Sequence, residues 1–560
     1  MATELESTKL RSNLEIAQAA TIRPIAEIAA ELGLGENEYE PYGRYKAKVP
    51  LAALERRLDT PLGRLIAVTA ITPTKTGEGK TTTAIGLTEA LGLTGRRPVL
   101  CLREPSVGPV FGIKGGGGGA GLAQVMPMEE LNLHFTGDIH AIGAATNLLA
   151  AIIDAHLLHG NRLDIDPLAI TWRRALDVND RALRSVVVGL GGRTNGYPRE
   201  AGFDITAASE VMAIVAVAHN LADLRERLGR VTVARTYEGE PVTAEQLGAA
   251  GSMTVLLKEA LKPNLIQTLE GQPTFVHTGP FANVAHGNNS LVADLLALRL
   301  GDYVVTESGF GSDMGFEKFA DIVCRLGGIT PSAVVLVATV RALKHHGGDP
   351  DGGLAAVERG AQNMARHIDI VRGFGIDPVV AVNRFPGDSH SELELVRGLA
   401  LEHGAQAAES INVFGEGGAG ATGLAEAVAA AAEDEPTLRY AYELDDPIPV
   451  KIEKIATRVY GAAEVTFSPE ASRTIAECTE AGLDRVPVCM AKTHLSLSHD
   501  PSLLNSPTGF SLRVREVRPY TGAGWLVAVC GDMQTMPGLG AQPAAFQIDV
   551  DDTGRTVGLW

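Results

Sequence analysis

The chain has 560 residues, enough for roughly three or four domains of ordinary size. Hydrophobic residues make up 45% and charged residues 21%, a globular balance that excludes wholesale disorder. The net charge of −18, with no basic tract, argues against nucleic acid or an anionic membrane as a partner.

The N-terminal segment lacks the apolar core of a signal peptide. Residues 1–60 read as polar helices, with Ile25, Ile28, Ala29 and Leu32 at helical spacing. Short apolar runs follow at 65–71, 98–102, 185–190, 302–306, 333–340 and 378–382. Most are Val-rich and continuous rather than alternating, as in strands buried on both faces of a parallel sheet. Helical stretches separate several of them, so the expected fold class is α/β with a mostly parallel sheet. Residues 193–300, with helical stretches at 207–229 and 253–261, read as an elaboration embedded in a core spanning 1–450. An acidic, Pro-containing boundary near 430–450 precedes a smaller C-terminal α/β domain, 451–560, with strands expected at 486–490 and 525–530. The longest continuous apolar strand run, 334–340, is far too short to span a membrane.

Five cysteines, Cys101, Cys324, Cys478, Cys489 and Cys530, form no C-x-x-C pair and read as buried thiols of a cytoplasmic protein. His156, His159 and Asp154 lack a completing ligand set and read as a helix surface. Residues 65–125 run against the overall charge, with six basic and three acidic side chains, which points to a small anionic ligand.

The strongest local signal lies in that stretch. An apolar run leads into Pro73-Thr74-Lys75-Thr76-Gly77-Glu78-Gly79-Lys80-Thr81, and a helical pattern follows. Gly79-Lys80-Thr81 fits the end of a phosphate-binding loop, although Thr74 stands where that pattern has Gly. Such a loop aims backbone N–H groups and a helix N-terminus at phosphates. Lys80 supplies a cation near the β and γ phosphates, and the Thr81 hydroxyl can hold Mg²⁺. The alternative is a Gly-rich turn before a surface helix.

The next strand ends in Arg103-Glu104. Ligands of open α/β sheets bind beyond the carboxyl ends of strands. Arg103 is therefore expected in the crevice of Lys80, where a guanidinium suits phosphate or carboxylate; a surface ion pair with Glu104 is the other reading. Lys114 opens a run of five glycines, Gly115 to Gly119, which is either a ligand loop or a linker. The run 378–382 ends in Asn383-Arg384-Phe385-Pro386. Asn383 can address a purine edge, and Phe385 with Phe414 can wall a flat ring or simply pack in the core.

Two longer strings carry a family resemblance. One is Gly112-Ile113-Lys114-Gly115-Gly116-Gly117-Gly118-Gly119-Ala120-Gly121-Leu122-Ala123-Gln124-Val125, and the other is Val337-Ala338-Thr339-Val340-Arg341-Ala342-Leu343-Lys344-His345-His346-Gly347-Gly348. With further matches at 132–142, 173–181, 280–287 and 307–319, the chain resembles formate–tetrahydrofolate ligases. The family usually has Ala where Gly117 and Gly118 stand, Tyr for Leu122 and often Trp for Phe414. The resemblance implies a P-loop NTPase-like core and synthesis of 10-formyltetrahydrofolate, ADP and phosphate from formate, ATP and tetrahydrofolate, through formyl phosphate. It implies that Thr74, Lys75, Thr76, Gly77, Glu78, Gly79, Lys80 and Thr81 hold ATP, Thr81 with Mg²⁺, and that Arg103 holds formate. It sets Glu104 and Phe310 against the pterin, with Phe385, Pro386 and Phe414 walling a nucleotide or pterin slot. Asp138 is a candidate for orienting a reacting group. A homotetramer and a monovalent-cation activator are further family expectations. The other readings are a ligase for a different small carboxylate and a nucleotide-gated switch.

Overall fold

A computed structural model describes residues 11–112 and 117–559. Its centre is a large sheet whose seven core strands all run parallel. In chain order the strands that matter are β1 (Arg64–Ala70), β2 (Pro98–Leu102), β3 (Asn264–Thr268), β4 (Pro273–Val276), β5 (Tyr303–Glu307), β6 (Pro331–Ala338), β7 (Val379–Asn383) and β8 (Ala407–Ile411). Their order across the sheet is β3-β4-β2-β5-β1-β6-β7-β8, with β3 antiparallel to β4. Strand β1 is therefore central, and all seven parallel strands present their carboxyl ends along one edge.

Both faces of β1 are covered, as its unbroken apolar run requires. Ile66, Val68 and Ala70 pack with Ile85, Leu87 and Leu91 of helix α1 (Lys80–Leu93) and with Leu424 and Val428. Leu65 and Ala67 face the opposite core, with Leu296, Phe316 and Phe319. Burying a Val, Leu or Ile contributes about 1.5–3 kcal/mol, so this double covering fixes β1 firmly at the centre. Helix α1 is buried over nine consecutive residues, Thr83 to Leu91. Gly86 belongs there because a Cβ would lie 2.3 Å from Val413 Cγ1.

Expected strands at 65–71, 98–102, 302–306 and 378–382 correspond to β1, β2, β5 and β7. The run 333–340 is β6 up to Ala338, after which Thr339 caps helix α2 (Val340–His346). The run 185–190 corrects the expectation. Only Val186–Val188 is extended, and it pairs antiparallel with Arg199–Ala201 outside the large sheet. Val187 is exposed, so no helix layer covers this ribbon as a parallel strand would need. The helical stretch 207–229 is broken in two, because Asn220 caps a new helix by accepting from the Asp223 N–H at 2.9 Å.

The C-terminal strands β9 (Val488–Ala491), β10 (Glu516–Tyr520) and β11 (Trp525–Val529) form a small sheet, with β9 parallel to β11 and β10 antiparallel to it. Met490, Leu526 and Ala528 share the core containing Leu65 and Phe316. Cys489, Trp525 and Val527 join a second core with Ile142 and Leu149 of the helix Asp138–Leu158. That helix is the one element among the described residues long and apolar enough to cross a membrane, and its apolar face is covered by this core. All five cysteines are free and buried.

Candidate active site

The loop between β1 and α1 is shaped before any ligand arrives. Gly77 and Gly79 hold φ of +75° and +76°, the left-handed region that glycine enters without a Cβ penalty. At Gly79 a Cβ would also lie 2.4 Å from Asn383 Nδ2. The buried Glu78 carboxylate accepts from the Thr74 N–H at 2.7 Å, from the Thr74 hydroxyl at 2.7 Å, and from the Thr339 hydroxyl. Thr74, the departure from the Gly of the sequence pattern, thus closes the loop through Glu78. Arg341 donates to the Gly77 carbonyl, and its guanidinium lies 3.7 Å from the centre of the Phe385 ring. Asn383 Nδ2 donates to the Glu78 carbonyl at 3.0 Å. Lys75 and Thr76 are exposed at the loop tip, and Lys80 and Thr81 open α1. The helix N-terminus and the loop amides form an anion cradle.

Beside this cradle stands an acid with no role in the sequence reading. Glu307 ends β5, immediately next to β1, and is 4% exposed. Its carboxylate accepts from the Thr81 hydroxyl at 2.7 Å and lies 3.6 Å from Arg103 Nη2. Arg103, at the end of β2 on the other side of β5, reaches over the same edge. The alternative reading, a surface ion pair of Arg103 with Glu104, does not hold, because Glu104 turns inward and is buried. Burial, and next the charge of Asp138, push the Glu104 carboxyl well above its ordinary range. Asp138 itself is buried and paired with Lys48, whose Nζ lies 2.7 Å from Oδ1. It also accepts from Asn264 Nδ2 at 2.7 Å.

The aromatic candidates separate into two groups. Phe310 follows β5, whereas Phe385 and Pro386 follow β7 and Phe414 follows β8. Phe310 and Phe385 are thus three strand spacings apart across the edge, about 14 Å. Phe310 stacks on His494, with ring centroids 4.3 Å apart and planes at 16°. Phe414 is exposed, and its carbonyl accepts from the Leu122 N–H at 2.9 Å. Its ring packs on Gly121, where a Cβ would meet it at 2.8 Å. The described part of the glycine run is no linker: a Cβ at Gly117 would meet Pro105 at 2.6 Å, and one at Gly119 would meet the Ala123 carbonyl at 2.1 Å. Lys114 lies outside the described residues. Beyond β7 and β8 a cavity of 390 Å³ is lined by Arg384, Ser410, Asn412, Glu416 and Thr422.

Comparison with known proteins settles the family. A family model described as formate–tetrahydrofolate ligase matches residues 11–560. The chain is 55% identical over 565 residues to the formate–tetrahydrofolate ligase of Desulforamulus reducens, covering 99% of this chain and 100% of that one. It is 57% identical to the enzyme of that name from Roseiflexus sp. (strain RS-1), over 98% of this chain and 100% of that one. This chain belongs to the formate–tetrahydrofolate ligase family. The Cutibacterium acnes member is 54% identical over 98% of this chain and 100% of its own length. Membership therefore covers the phosphate loop, Arg103, Glu307 and the C-terminal strands alike.

Glu307, Thr339, Arg341 and His494 stand at the candidate site without having been singled out from the sequence. Glu307 carried one usable signal, an acid closing a buried apolar run at the sheet's carboxyl edge. Arg341 lay inside a quoted family string but gave no hint of its loop contact, which spans 264 positions.

Proposed function

We propose that this chain joins formate to tetrahydrofolate with ATP, forming 10-formyltetrahydrofolate, ADP and phosphate by way of formyl phosphate. The observation that carries this reading is the line Thr81–Glu307–Arg103 at the mouth of a preformed phosphate cradle. A phosphate cradle alone fits any nucleotide hydrolase. A guanidinium beside it adds a seat for a small carboxylate next to the γ-phosphate. In the reaction a formate oxygen attacks the γ-phosphorus and ADP leaves. N10 of the folate then attacks the formyl carbon, phosphate leaves with its electron pair, and the nitrogen loses a proton. Lys80 and Arg103 carry the negative charge of the transferring group, and Arg103 holds the formate and formyl phosphate oxygens.

The core is read as P-loop NTPase-like, from its strand-loop-helix unit at the central strand and the acid on the adjacent strand. The Thr81 hydroxyl and Glu307 carboxylate fit Mg²⁺, which is bound through one or two carboxylates and substrate phosphates. When bound, Mg²⁺ neutralises charge on the β and γ phosphates. Asn383 is engaged with the loop through its Nδ2, so base recognition is assigned to the cavity of Arg384 and Asn412, beyond the second and third strands from β1. Phe310 and the buried Glu104 are assigned to the pterin.

The test is a coupled assay of 10-formyltetrahydrofolate with each substrate omitted in turn. Product should require all three, and ADP release should fall to background without formate. Steady ADP release without formate and folate would instead support a nucleotide-gated switch.

A further inference from the structure

Phe310 holds φ +62°, a conformation that a bulky L-residue rarely takes. Such strain persists where the surroundings over-determine it, and it collects at ligand sites. Here the surroundings come from far along the chain. His494, just beyond β9, lies flat against one face of the Phe310 ring. The segment that carries His494 is fastened at both ends. The fully buried Lys492 Nζ reaches Asp313 Oδ2 at 2.6 Å, three residues past Phe310, and the Ser496 carbonyl at 2.6 Å. Farther on, the Asn505 carbonyl accepts from Asn363 Nδ2 at 2.7 Å, and the same amide donates to the Thr72 hydroxyl at the stem of the phosphate loop at 3.0 Å. His367 closes the frame, bonding Thr72 at 2.9 Å and Ser312 at 2.7 Å.

We propose that His494 is a positioning residue of the folate site, backing the Phe310 ring so that its opposite face meets a flat bicyclic pterin. This rests on the reading of Phe310 as a pterin wall. The C-terminal segment then belongs to the active site although no residue of it carries chemistry. An imidazole suits this place because it is flat and stacks without filling the slot. Losing one stacked partner corresponds to roughly a three- to tenfold loss of binding.

The test uses the full-length enzyme and steady-state kinetics with each substrate varied in turn, for His494→Ala, His494→Phe and Phe310→Ala. Thermal melts establish that each variant is folded. His494→Ala should raise the KM for tetrahydrofolate roughly three- to tenfold, with kcat and the KM values for ATP and formate changed little. His494→Phe, which keeps a flat ring, should restore the folate KM. If Phe310→Ala raises the folate KM but His494→Ala does not, or raises all three KM values alike, the inference fails and the pterin-wall reading stands. If His494→Phe behaves like His494→Ala, stacking is not the cause and the inference also fails. If Phe310→Ala leaves the folate KM unchanged, the pterin-wall reading fails and takes the inference with it.

Discussion

Arg103 and Lys80 carry the same charge into one crevice but differ in shape. In the proposed reaction Lys80 is a point charge on a phosphate, whereas Arg103 offers a planar fork to a carboxylate. Formate has almost no apolar surface, so hydrophobic burial cannot hold it. Arg103→Lys should therefore leave ATP affinity by calorimetry within about twofold and raise the formate KM at least about tenfold, or 1.4 kcal/mol. An unchanged formate KM would remove Arg103 from the carboxylate seat. At this scale the sequence was informative where chemistry is local and silent where it is not. Gly79-Lys80-Thr81 is legible because its neighbours in sequence are its neighbours in space. Glu307 is not, since its partner Thr81 is 226 positions away. The burial of Glu104 is not legible for a related reason: it depends on packing far along the chain, and it raises the carboxyl well above its ordinary range.

Helix α1 shows how an element carries cost as well as function. Its Glu89 is fully buried beneath Gly418, and the Glu270 N–H makes a long contact of 3.4 Å to one oxygen. Burial, and then the charge of Glu270, raise its carboxyl from 4.5 to about 8. A carboxyl raised on folding favours the folded state fully below its unfolded pKa and loses that advantage as pH rises through the folded one. The Glu89 contribution to stability should therefore fall between pH 4.5 and about 8. Glu89→Gln, which is neutral and of the same shape, should flatten that decline. At pH 9 it should stabilise the protein by at least about 1.4 kcal/mol, one pKa unit's worth, in urea unfolding. Equal stability of the two proteins at pH 9 would show that Glu89 is not held neutral. Elements are legible where burial comes with an unbroken apolar run. Strands β1, β2, β5, β6 and β7 are apolar runs, and each was expected. Strand β3 escaped notice because Asn264, Gln267 and Thr268 are buried polar residues with partners elsewhere, Asn264 on Asp138 and Gln267 on the Arg23 carbonyl. Strand β8, Ala407-Ala408-Glu409-Ser410-Ile411, has no unbroken apolar run and lies at the sheet's edge, so it carries little signal.

Over the whole molecule, the parallel sheet gathers a phosphate cradle, an anion fork and an aromatic wall along one edge, and the C-terminal segment closes over the last of these. The C-terminal strands were legible from their apolar runs. Their reach to Phe310 was not, because it depends on packing between residues nearly 200 positions apart. The central claim is that one crevice first phosphorylates formate and then hands the formyl group to the folate. The formate oxygen that attacks phosphorus stays bonded to it when N10 displaces phosphate from carbon. The most direct measurement is mass analysis of the phosphate formed from formate labelled with ¹⁸O, in unlabelled water. The account predicts one formate-derived oxygen in each phosphate released during synthesis. Phosphate free of label, with 10-formyltetrahydrofolate still formed, would contradict it.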